Sequence, residues 1–260
     1  MNYKELFENR FTKTHSGFTS NLLKKFYFNI SPTTYVLKSM FSVVSSFSKG
    51  KKNLRILDLG CGGGMLDLTK YGEVYGVDIS SASISNAKKI YKEALVSDIT
   101  KKIPFPDEFF DIVFSSEVYG HIYLEDKNSF LMESYRVLKK GGLFVFSCET
   151  KGKNWLTKYL KNRDMYQEKW IDLQGHVGLE TPTNTLNRFK RVFPNSELRV
   201  MNTYIFTIDE LISIFPLLGQ IISANLFRRF LNILLFPVYM FSIKFYKISS
   251  ANDVLIYGKK

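Results

Sequence analysis

The chain has 260 residues, 45% hydrophobic and 23% charged, with 36 lysines and arginines against 24 acidic residues and a formal net charge of +12. That is enough apolar chain to bury one sizeable core with an elaboration. The two cysteines, Cys61 and Cys148, exclude a disulfide framework, and neither they nor the histidines at 15, 121 and 176 show the chain spacing of a metal site, so no metal is expected.

The opening Met1-Asn2-Tyr3-Lys4-Glu5 leads into mixed polar residues, so no secretory leader is expected and a cytoplasmic setting is. Charge is uneven: residues 1–56 carry ten basic and two acidic side chains, 57–148 ten and thirteen, and 149–260 sixteen and nine. A mildly acidic centre between basic flanks suits an anionic substrate or an anionic surface, although solvated lysines account for the flanks equally well.

In chain order, Leu22, Leu23, Phe26, Tyr35, Leu37, Phe41 and Val44 recur at helical intervals with Ser31-Pro32 as a helix start, predicting a helical cap over 1–50. Strands at 54–59, 73–77, 94–97, 110–115 and 142–148 alternate with helix-length segments, which implies βαβ units and a parallel sheet. Ser80-Ser81 should cap the helix carrying Ile84 and Ala87, and Gly141 should end the helix carrying Phe130, Leu131, Tyr135 and Leu138. Thr181-Pro182 reads as a capped helix start, Glu197–Phe206 as a sixth strand and Asp253–Tyr257 as a seventh.

About 45 residues separate those last two strands. From Leu211 to Ile243 the only formal charges are Arg228 and Arg229, and Phe230–Phe241 is nearly all apolar. The apolar run is shorter than the ~20 residues that span a bilayer, and Pro216 and Pro237 would interrupt or kink helices. Residues 208–250 therefore read as a hydrophobic helical insertion in a core domain of 51–207 and 251–260. It reads as a lid over the substrate pocket or as a membrane-surface contact through 211–247, with Arg228, Arg229, Lys244 and Lys247 at the headgroups, and the two are compatible for a lipid or lipid-linked substrate. The second reading would put the protein at the inner face of the membrane.

The densest chemical signal is Ile56-Leu57-Asp58-Leu59-Gly60-Cys61-Gly62-Gly63-Gly64, followed by Val74-Tyr75-Gly76-Val77-Asp78. A strand that empties into glycines lets backbone N–H groups approach a nucleoside-containing ligand. Asp58 at the strand end, and the lack of a G-x-x-G tail, disfavour a pyrophosphate and suit a cationic amino-acid moiety. Asp78 stands where a carboxylate holds a ribose diol.

With Val96-Ser97-Asp98-Ile99, Phe109–Val118 followed by His121, and Arg136–Phe146, these segments make five ordered matches over roughly residues 54–148. The chain here resembles the class I S-adenosylmethionine-dependent methyltransferases. The resemblance implies a doubly wound, Rossmann-like α/β fold: a seven-stranded, mostly parallel sheet with helices on both faces, the last strand antiparallel, plus the helical insertion. It implies S-adenosylmethionine as cofactor, its methionine portion on Asp58, Gly60, Cys61, Gly62 and Gly64, its ribose on Asp78 and Ile79, and its adenine on Asp98 and Ile99. Ser115 and Glu117 would line the methyl end.

His121 and His176 are the candidate catalytic bases, each with packing as its alternative. Ser115-Ser116-Glu117-Val118 stands where exocyclic-amine nucleic-acid enzymes carry Asn or Asp and two prolines, and neither cysteine lies in a Pro-Cys context. A nucleic-acid partner is therefore not expected. The sequence reads as a methyltransferase acting on an oxygen or carbon of a small-molecule or lipid-linked, anionic acceptor. RNA methylation and a non-catalytic, membrane-docking cofactor binder are the alternatives, the latter opposed by the full Asp58, Asp78 and Asp98 set.

Overall fold

Period-two apolar residues buried on both faces build the centre of the protein, as a parallel sheet covered by helices requires. The computed structural model describes residues 32–172, 175–202, 225–245 and 247–260. Their strands are β1 (Arg55–Leu59), β2 (Glu73–Asp78), β3 (Glu93–Val96), β4 (Phe110–Ser115), β5 (Leu138–Glu149), β6 (Glu197–Asn202) and β7 (Asp253–Lys259). They form one sheet in the order β3-β2-β1-β4-β5-β7-β6. β1 to β5 run parallel, and β7 inserts antiparallel between β5 and β6.

Ile56, Ile112, Phe114, Val145 and Leu255 turn to one face, where α1 (Pro32–Ser48) and α2 (Ser81–Ala87) bring Val36, Met40, Val44, Ile84 and Ala87. Leu57, Val113, Phe144, Phe146 and Ile256 turn to the other, against Phe130 and Leu131 of α3 (Lys127–Val137) and Phe189 of α5 (Pro182–Val192). Each of the larger aliphatic and aromatic side chains among them contributes roughly 1.5–3 kcal/mol when fully buried. The order reverses between β1 and β4, so the carboxyl ends of the parallel strands open on a crevice there.

The expected caps are in place: Ser80 Oγ accepts from Ser83 N at 3.1 Å, and Thr181 Oγ1 from Asn184 N at 3.3 Å. The expected helix end at Gly141 is not. α3 stops at Val137, Leu138 is already extended, and Gly141, at φ +70°, lies inside β5. β5 thus begins four residues before the Gly142 expected from the sequence, because Leu138 is drawn into the sheet opposite Phe110.

After α4 (Trp155–Asn162), the inserted region contributes α6 (Asn225–Phe245), which runs through Pro237 rather than ending there. Just beyond the proline, the buried Tyr239 hydroxyl donates to the Met201 carbonyl of β6, and its ring meets Tyr35 of α1 edge-on at 5.9 Å. That packing holds the helix together across the missing bond and covers the otherwise open β6 edge. No helix among the described residues is long and apolar enough to cross a membrane. Expectations for residues 1–31 and 203–224, and for the side chains of Arg228 and Arg229, lie outside the described residues.

Candidate functional site

The glycine loop leaves β1 through three left-handed residues, Gly60 (φ +68°), Gly62 (φ +52°) and Gly64 (φ +89°). A Cβ at Gly60 would also stand 2.5 Å from a Val118 methyl, so only glycine fits there. Gly60 N and Cys61 N both donate to the Val77 carbonyl, tying the loop to β2. Gly62 N then donates to Asp78 Oδ2 at 2.8 Å and Ser80 N to Asp78 Oδ1 at 2.9 Å. Two backbone donors thus fix the Asp78 carboxylate at the end of β2.

These elements wall a cavity of about 400 Å³. Of the expected donor-site residues, Asp58, Gly60, Cys61, Gly62, Asp78, Ile79, Asp98, Ile99 and Glu117 line it. Ser115 and Gly64 do not. Ser115 is buried and its hydroxyl donates to the Leu59 carbonyl between strands, which leaves Ser116 and Glu117 as the wall. Gly64 instead packs the loop against the end of α2 and the residues after it, where a Cβ would lie 3.3 Å from Ala87 Cα and 2.7 Å from Ile90.

Asp58 is fully buried beside the cavity and accepts a 2.6 Å hydrogen bond from the Tyr91 hydroxyl. Burial pushes its carboxyl up to about 7; the Tyr91 bond works against this and the Asp78 charge adds to it. An acid held so reluctantly charged fits a cationic ligand group. Asp98 Oδ1 accepts from Thr100 N and Thr100 Oγ1, which sets its loop. Cys61 is no nucleophile, since burial and then Asp58 and Asp78 drive its thiol well up.

The opposite end of the cavity is built from three separate segments. The turn Tyr119–His121 is anchored by the buried Lys127, whose ammonium donates to the Tyr119 carbonyl and sits 3.3 Å over the Tyr119 ring. The Tyr119 hydroxyl donates to Glu180 at 2.9 Å, and Arg188 holds Glu180 at 2.8 Å. Val177 N and Gly178 N both donate to the Gly120 carbonyl at 3.1 Å. A Cβ on Gly178 would lie 1.8 Å from the Ile122 carbonyl, so this approach needs glycine.

The result stacks His121 on His176, with centroids 5.0 Å apart, next to Glu149 at the end of β5. His121 Nδ1 lies 2.9 Å from the Gly175 carbonyl and its Nε2 3.8 Å from Glu149 Oε1. The histidines that lie apart along the chain are therefore brought together by the fold. Both line the cavity, as does Glu149.

Sequence reasoning missed Glu149, Tyr91, Met65 and the α1 residues Val36 and Leu37, the last three also in the cavity wall. A charged residue directly after the apolar run Leu143–Cys148 was the available signal for Glu149. Nothing local marks the others. Among the described side chains, none from α6 lines the cavity, and α6 packs against β6.

A methyltransferase-domain family profile matches residues 57–146. The chain is 34% identical over 128 residues to a phosphoethanolamine N-methyltransferase of Plasmodium falciparum, covering 43% of this chain and 47% of that one. It is 30% identical over 142 residues to a ubiquinone biosynthesis O-methyltransferase of Pelagibacter ubique, covering 51% and 57%. The matches thus span about half the length of these relatives. A Haemonchus contortus phosphoethanolamine N-methyltransferase 2, solved with phosphomonomethylethanolamine and S-adenosylhomocysteine, superposes with a TM-score of 0.60 at 17% identity, over 100% of this chain and 60% of that one; this likeness bears on the fold alone. Residues 57–146, with the sheet order and the Asp58–Gly64 and Asp78 geometry around them, thus form a methyltransferase domain of the class I S-adenosylmethionine-dependent type.

Proposed function

We propose that the protein transfers the methyl group of S-adenosylmethionine to an oxygen or carbon of a small-molecule or lipid-linked acceptor. The observation that carries this reading is one cavity with a row of strand-end aspartates, Asp58, Asp78 and Asp98, at one end and the His121–Glu149–His176 corner at the other. The residues fit the donor: Asp58 is matched to its ammonium, Asp78 to its ribose diol, and Asp98 with Ile99 to its adenine. Bound there, the cofactor supplies an electrophilic methyl on sulfur.

The chain's own part is orientation and proton handling. Glu117, held at φ +58° and with Oε1 3.0 Å from Ser147 Oγ, shapes the passage between the two ends. Val36, Leu37 and Val118 supply apolar wall that keeps water from the reacting centre. At the far end, the carboxylate and imidazole acceptors suit an acceptor that carries a proton to lose. The buried thiols of Cys61 and Cys148 leave no role for covalent cysteine chemistry.

The finer setting rests on α6. Leu234, Val238, Phe241 and Phe245 form one exposed stripe on it, with Lys244 and Lys247 at its end. An apolar stripe beside cations suits the surface of an anionic bilayer, from which a lipid-linked acceptor could be drawn. Incubation of the protein with methyl-labelled cofactor and a native extract tests the whole reading. Label in the low-mass or lipid fraction supports it; label in RNA, or none in any fraction, contradicts it.

A further inference from the structure

We propose that His121, Glu149 and His176 form a site for one divalent first-row transition cation at the acceptor end of the cavity. The proposal rests on the methyltransferase reading only for what the cation would hold. One ligand atom from each residue lies within 4.8 Å of the other two, and all three side chains are largely buried. They come from the turn after β4, the end of β5 and the loop before α5, so the grouping is a product of the fold and not of chain proximity.

The hydrogen bonds orient the set as metal ligands are oriented. The Gly175 carbonyl can only accept, so this bond turns His121 Nδ1 toward it and Nε2 toward Glu149. That Nε2 stands 3.8 Å from Glu149 Oε1, with the His121 side chain 12% exposed and that of Glu149 5%. The other Glu149 oxygen, Oε2, accepts from Gly120 N at 2.9 Å. The backbone partners behind His121 and Glu149 are the kind of support that metal sites use to fix ring and carboxylate direction.

The donor set also names the cation. Two imidazoles and one carboxylate with further positions open are the set of catalytic zinc and of non-haem iron(II), whereas magnesium and calcium prefer oxygen throughout. Metal–ligand bonds of about 2.0–2.2 Å would bring the donor atoms to roughly 3–3.5 Å apart. Side-chain rotation closes the remaining ångström or so. Gly120 leaves room for it, since a Cβ there would stand 3.0 Å from Glu149 Cβ and 3.1 Å from His176 Cδ2. An open position facing the cavity would take an acceptor hydroxyl oxygen, hold it as its anion and release its proton to water.

Tag-free, chelator-stripped full-length protein titrated with Co²⁺ tests this. The wild type should take up one equivalent with visible d–d absorption, at least about tenfold more tightly than Glu149→Gln or His176→Ala checked for folding by circular dichroism. X-ray absorption at the zinc edge of the wild-type complex, which needs no variant, should show the scattering of two imidazoles. Absence of the bands, equal affinity in both folded variants, or a zinc shell without imidazole overturns the site. Calorimetry with S-adenosylmethionine on the same wild-type preparation separates the two readings: cofactor binding without Co²⁺ binding overturns the cation site alone, and Co²⁺ binding without cofactor binding overturns the methyltransferase reading alone.

Discussion

The Tyr91 hydroxyl donates to Asp58 Oδ2 across 2.6 Å and itself accepts from Met65 N at 2.6 Å, so one buried phenol ties the end of β1 to the glycine loop. Asp58 is pushed up to about 7, chiefly by burial, from an ordinary value of 3.8. An acid that holds its proton more tightly when folded favours the fold most at low pH. Its contribution is full below about pH 4 and is lost as pH rises toward 7, by up to about 4 kcal/mol. Urea unfolding of the wild type and Asp58→Asn between pH 4.5 and 7.5 should show this decline in the wild type and a flatter dependence in the variant.

The same group sets the pH dependence of donor binding. Affinity for S-adenosylmethionine should rise between pH 6 and 7.5 as Asp58 ionises, and fall above about pH 8 as the ligand's amine loses its proton. Calorimetry across that range checks it, and Asp58→Asn should remove the rising limb.

Gly60→Ala should lower stability by about 1–3 kcal/mol, read as a reduced urea midpoint with unchanged slope. The new methyl would meet Val118 at 2.5 Å in a left-handed backbone position.

Gly178→Ala separates the two ends of the cavity. Its Cβ would lie 1.8 Å from the Ile122 carbonyl, forcing the His176 loop off the His121 turn. Methyl transfer should fall by about tenfold to a hundredfold, as displacement by an ångström does, while donor affinity stays within about twofold. Parallel calorimetry and labelled-methyl assays read both.

Sedimentation with vesicles checks the α6 stripe. The wild type should pellet with anionic vesicles and less with neutral ones, and Phe241→Asp should lose most of that binding. Pelleting that ignores both changes contradicts membrane contact.

The donor half was legible because its determinants are local. Asp58, the glycines and Asp78 sit at strand ends separated by one helix, so spacing along the chain maps directly onto the crevice. The acceptor half was not, because Glu149 and His176 meet His121 only through the Gly120–Gly178 contact, which no periodicity records. Ser115 ends β4 and Ser116 follows it, and which of them faces the cavity depends on a single pleat of register. α6 was legible as an apolar helix, but its place against β6 depends on Tyr239 reaching Met201, a contact 38 residues apart in the chain.

The central claim is that Asp78, fixed by Gly62 N and Ser80 N, holds the methyl donor. Equilibrium binding of S-adenosylmethionine to the wild type and to Asp78→Ala tests it most directly. The wild type should bind one equivalent, and the variant about tenfold to a hundredfold more weakly, the loss of a hydrogen bond to a charged group. Unchanged affinity in the folded variant, or no binding by the wild type, would contradict it.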